Sequence, residues 1–156
     1  MGNSRRSSFA IAIGVALVVP SLARAQQPAF HPDMGDLMTA FVQPRHIKLG
    51  LAGNDKNWPY VAYELNELRE TFDEVAELVP KYRDMPVPDM IASTVKEPLA
   101  ALDQAIKAKD ANRFAAAYGQ LTASCNACHQ STDHPMIVIQ APKAAAFADQ
   151  DFQPAR

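Results

Sequence analysis

Apolar residues recur at offsets of three and four along four stretches of this chain, separated by proline, glycine and residues that cap helices. The first helix is predicted to begin after His31-Pro32-Asp33, with Asp33 as its cap. It carries Met34, Leu37, Met38, Phe41 and Val42 and, beyond Pro44, Leu49, running toward Gly50 and Gly53. Pro44 has no amide hydrogen and crowds the preceding turn, so a kink or a split is expected there. The second helix starts from Asn57, with Pro59 in its first turn, and places Val61, Leu65, Leu68, Phe72, Val75 and Leu78 on one stripe before Pro80. Its opposite face, with Glu64, Glu67, Arg69, Glu70, Asp73, Glu74 and Glu77, reads as solvated. Residues 81–88, with Pro86 and Pro88, read as a loop. The third helix is capped by Asp89 and carries Ile91, Val95, Leu99, Leu102 and Ile106, with Pro98 disturbing its middle. The fourth begins after Asp110 and sets Phe114, Tyr118, Leu121, Cys125 and Cys128 on one stripe, which brings both thiols to the buried face.

None of these helices can hide its apolar stripe alone, and the loops between them are short. The fold expected is all-α, an antiparallel up-down-up-down four-helix bundle with an irregular C-terminal tail. The tail opens with Met136-Ile137-Val138-Ile139 between Pro135 and Pro142, too confined for a lasting helix and so expected to be extended and packed over the bundle. From Ala148 to Arg156 the composition suggests a loose terminus.

The other end of the chain reads differently. Arg5 and Arg6 precede an apolar run from Phe9 to Val19 and the small-x-small sequence Ala23-Arg24-Ala25, the pattern of a cleaved signal peptide over residues 1–25. The run is short for a bilayer, and no later stretch approaches the required length, so no membrane span is expected in the mature chain. Phe9 lies one place too far along for the Arg5-Arg6 pair to make a twin-arginine signal, and the general secretory route is expected. Residues 26–134 then form the bundle and 135–156 the tail. Loss of Arg5, Arg6 and Arg24 leaves twelve Lys and Arg against seventeen Asp and Glu, a formal charge of −5. That balance argues against nucleic acid or an anionic membrane surface as partner.

The chemistry lies in Cys125-Asn126-Ala127-Cys128-His129, since Cys-x-x-Cys-His is the attachment spacing for c-type haem. Two thiols three residues apart on one helical face can each form a thioether with a vinyl group of one porphyrin. The adjacent His129 then reaches the iron as the proximal ligand. Both cysteines of the chain are used by the motif. A thioredoxin-like Cys125–Cys128 disulfide would open a helix after a strand, whereas here a helix is ending. A structural zinc site would need four ligands and would have to recruit His134 and an oxygen donor.

With this motif at the end of its fourth helix, the chain resembles the class II c-type cytochromes, the cytochrome c prime-like family. The resemblance covers most of the mature chain in architecture but rests at motif strength on Cys125, Cys128 and His129 alone. Class I cytochromes carry the motif near the N-terminus and draw a methionine from far downstream, which 27 residues after His129 do not allow. The resemblance implies that haem c is the cofactor, that His129 is proximal, and that the opposite face of the iron meets the start of the first helix. Chain direction in an up-down-up-down bundle leads to the same place, residues 34–41.

Met34 and Met38 lie one turn apart there, and either thioether is a candidate sixth ligand, Met38 slightly preferred because Met34 sits in the first turn. Both could equally be core filler. His46 is a competing ligand but lies roughly 12 Å beyond Met38 along a continuous helix, which suggests a partly exposed helix histidine. His31 is expected at the start of the first helix, and His134 at the surface or beside His129. Family members commonly carry a basic residue soon after the haem histidine, where this chain has Gln130, Ser131, Thr132 and Asp133. The function expected is electron transfer in the periplasm, with a redox protein as partner, no catalytic residues, and a homodimer compatible with the fold. The alternative is a five-coordinate haem protein that binds or senses a small gas such as nitric oxide.

Overall fold

The computed structural model describes residues 31–144, 147 and 149–154; the predicted signal peptide, residues 1–25, lies outside them. The described chain is mostly helical. Its first rod comprises a short helix α1 (Met34–Leu37), a π-helical turn (Met38–Val42) and α2 (Gln43–Asn54). Asp33 caps it as expected, in a reciprocal arrangement: its carboxylate accepts from the Asp36 amide at 2.9 Å, and that of Asp36 accepts from the Asp33 amide at 3.2 Å. At Pro44 the rod neither splits nor stops. In a regular α-helix the Pro44 ring would crowd the carbonyl of Ala40, four residues back. The chain instead widens the turn just before it, so that the Gln43 amide donates to the Met38 carbonyl, five residues back.

Helix α3 (Trp58–Leu78) starts from Asn57, whose side chain accepts from the Tyr60 amide, with Pro59 in the first turn where its missing amide costs nothing. Residues 81–88 depart from the expected plain loop. They hold a minimal antiparallel hairpin, β1 (Lys81–Tyr82) on β2 (Met85–Pro86), turning through Arg83 at φ 53° and closed by a bond from the Val87 amide to the Pro80 carbonyl. Helix α4 (Val87–Lys107) therefore begins at Val87 and not from Asp89, which lies in its first turn near the positive end of the helix dipole. Pro98 is accommodated inside α4 and buried. Asp110 caps α5 (Ala111–Ser131), accepting from the amides of Asn112 and Arg113.

Helix α4 packs along α5, α3 packs against both α2 and α4, and α2 meets α5. Leu49, Val61, Leu65, Leu68, Val75, Leu102 and Leu121 are shut off from solvent in the shared core. Two members of the predicted stripes are outside it: Phe41 is 49% exposed on the π turn and Leu78 56% exposed at the end of α3. The acidic face of α3 also needs correction, because Glu64 is only 1% exposed. Its carboxylate accepts from Arg45 of α2 at 3.3 Å and from the Tyr60 hydroxyl at 2.6 Å, while Arg45 reaches Glu67 at 2.6 Å. A buried carboxylate is tolerated only with such partners.

The tail is irregular, as expected, but its far part is not loose. Phe152 is buried against Tyr60, Asn57 donates to the carbonyls of Phe152 and Gln153, and Gln150 donates to the Tyr60 hydroxyl at 2.6 Å. Among the described residues no helix is long and apolar enough to cross a membrane.

Candidate functional site

A cavity of about 210 Å³ lies between the last turns of α5 and the beginning of the first rod. Cys125, Cys128 and His129 line it from α5, and Met34 and Met38 from α1 and the π turn. Five residues spread over 95 positions of chain thus face one space. Much of the remaining wall is apolar: Phe72 from α3, Ile91 and Val95 from α4, Ile137 and Ile139 from the tail. Through Met34, Gly35, Tyr82 and His134 the cavity adjoins a wider surface groove of about 710 Å³ between the start of α1 and the hairpin.

The His129 ring is oriented by the tail. Its Nδ1 lies 3.0 Å from the carbonyl oxygen of Ile137. A carbonyl only accepts, so Nδ1 carries the proton and Nε2 of the neutral ring keeps its lone pair, the form in which imidazole binds a metal. Ligating histidines are commonly held by such an outer bond.

Both thiols are free and half-buried, in the last two turns of α5. A helix C-terminus carries partial negative charge, which disfavours a thiolate. Burial pushes the Cys125 thiol up to about 11, with nearby Cys128 adding to the effect. Burial likewise raises Cys128, although a bond from Thr94 partly offsets it. These are the surroundings of protonated thiols, whereas redox-active cysteines have lowered pKa values at helix N-termini or beside cations.

His46 is not the partly exposed histidine expected. It is 4% exposed, stacks on Tyr118 with ring centroids 4.7 Å apart, and lines the same cavity. Its Nδ1 lies 3.0 Å from the Tyr118 hydroxyl and its Nε2 3.0 Å from that of Thr122. The Tyr118 hydroxyl also reaches the His46 carbonyl at 2.8 Å, and the Thr122 hydroxyl the Tyr118 carbonyl at 2.9 Å. Burial lowers the His46 pKa to about 4 and raises that of Tyr118. The π turn explains its position. Twelve residues of regular α-helix would leave His46 about 120° around the axis from Met34; absorbing one extra residue in the widened turn returns it to within about 20°.

His31 is exposed at the start of the first rod. His134 is half-buried in the cavity wall, its Nε2 3.4 Å from the Tyr82 hydroxyl. A basic residue does approach the turn after His129, but from the hairpin: Arg83 is ion-paired with Asp133. Tyr82, Thr94 and Thr122 were missed by sequence reasoning, which had no pattern to single them out from other helix and loop polar residues. No protein-family model matches the chain, and neither does any curated protein or solved structure.

Proposed function

We propose that this chain is an exported, periplasmic c-type cytochrome of the class II kind, an antiparallel up-down-up-down four-helix bundle that carries covalent haem c and transfers electrons to a redox partner protein. The observation that carries this reading is the convergence of Cys125, Cys128, His129, Met34 and Met38 on one largely apolar cavity. The cavity alone is small beside the roughly 300–1,000 Å³ of usual ligand sites, and the adjoining groove supplies further room. When bound, haem supplies one-electron chemistry at its iron.

The chain's own residues divide the work. Cys125 and Cys128 would each add a thiol across a vinyl group, for which protonated, reduced thiols are the starting material. His129 would give the iron the Nε2 lone pair left free by its bond to Ile137. Met38, or Met34 one turn away, would offer the iron a thioether and so raise the potential. The apolar wall would limit the access of water to a bound iron, and no residue is required to transfer protons.

The purified mature protein should retain haem through acid-acetone extraction and gain the mass of one haem; loss of all pigment would overturn the reading. Oxidised protein should show the near-infrared charge-transfer band of methionine-to-iron ligation, and Met38→Ala should convert it to high spin with His129 still bound. A high-spin wild-type spectrum with fast carbon monoxide binding would instead favour the gas-binding function and return both methionines to packing.

A further inference from the structure

The segment after α5 folds back over the haem motif and is held there by a side chain within the motif. Asn126 Nδ2 donates to the Ile139 carbonyl at 2.9 Å while its Oδ1 accepts from the Ile139 amide at 2.7 Å, so one side-chain amide engages both main-chain groups of one residue. Three positions along α5, His129 Nδ1 donates to the Ile137 carbonyl. Residues three apart share a helix face, and residues two apart share a side of an extended segment. The two contacts are therefore a single register. The side chains lean the same way: Ile137, 46% exposed, and Ile139 line the cavity, whereas Met136 and Val138 are 74% and 72% exposed.

We infer that residues 136–140 are a strap that fixes the His129 ring from outside, and that Asn126 is the positioning residue that keeps the strap in register. The inference rests on the haem reading above. An unrestrained imidazole can carry its proton on either nitrogen and rotate about its side-chain torsions. The Ile137 carbonyl selects one tautomer and one orientation, and makes the ring a stronger donor. A stronger donor stabilises the ferric over the ferrous iron, so the strap holds the potential down. Asn126 acts through the strap and does not touch the iron. Its position is one of the two variable places in the Cys-x-x-Cys spacing, so covalent attachment does not demand asparagine there.

The test compares haem-loaded wild type with Asn126→Leu, Asn126→Asp and Val138→Ala. The readouts are the reduction potential and, by NMR, hydrogen exchange of the Ile139 amide and the His129 Nδ1 proton. Asn126→Leu removes both bonds at similar size and should speed both exchanges by roughly tenfold or more while the potential rises at unchanged haem content. Asn126→Asp keeps the acceptor alone and should shift each readout less, and Val138→Ala should match wild type. A loaded Asn126→Leu protein with wild-type potential and exchange overturns the strap and leaves the haem reading intact. A wild-type chain that takes up no haem overturns both. If Asn126→Leu fails to accumulate, Asn126→Asp decides, and wild-type values in it overturn the inference.

Discussion

Acidification should weaken this fold through His46, and the loss can be worked from its surroundings. In the unfolded chain a histidine takes up its proton near pH 6.5, whereas burial lowers the folded value to about 4. Between these pH values the unfolded chain binds more protons than the folded one. Stability is therefore full above pH 6.5 and falls as pH drops toward 4. The gap of about 2.5 units corresponds to about 3 kcal/mol at 1.36 kcal/mol per unit. The hydrogen-bond geometry reduces that figure. Two contacts join the ring to the Tyr118 and Thr122 hydroxyls, and two more run from those hydroxyls to the His46 and Tyr118 carbonyls; a neutral imidazole and two hydroxyls supply three protons, so one of the four contacts is idle. The imidazolium fills all four, which returns about 1 kcal/mol and leaves a net loss of about 2 kcal/mol. Urea denaturation of wild type and His46→Gln at pH 7 and pH 4.5 isolates the effect, because carboxylate titrations common to both proteins cancel in the difference. The wild type should lose about 2 kcal/mol more than the variant. Equal losses in the two proteins would refute the reasoning.

Three further outcomes follow from particular contacts. Glu64→Ala should cost about 1–3 kcal/mol in urea denaturation because the Tyr60 hydroxyl loses its acceptor and Arg45 keeps only Glu67, while Glu64→Gln, which keeps an acceptor, should cost less. Gly53→Ala should lower the melting temperature, at a cost of about 1–3 kcal/mol, since the new Cβ would overlap the Phe114 ring. On the proposed haem reading, replacing both Cys125 and Cys128 with alanine should abolish acid-resistant haem, whereas either single replacement leaves at most one thioether, read from the mass of the purified protein.

The chain's pattern alone determined the helical class, the caps at Asp33, Asn57 and Asp110, and most of the core, because these depend on spacing and on groups only a few residues apart. The candidate site was legible to the same extent: Cys125, Cys128 and His129 are adjacent in sequence, and chain direction pointed to Met34 and Met38, which do face the same cavity. What sequence could not supply was rotation and long-range pairing. The sequence predicts a kink or split at Pro44, whereas a π turn keeps the rod continuous and rotates everything beyond it, which carries His46 from the expected partly exposed position into the cavity wall. Glu64 looked solvated because its partner, Arg45, is on another helix. The tail looked loose at its end because Asn57 and Tyr60, which hold it, are more than 85 positions away. Local periodicity reports which face of a segment is apolar; which polar groups are buried depends on whether a distant partner arrives to satisfy them, and only the tertiary structure decides that.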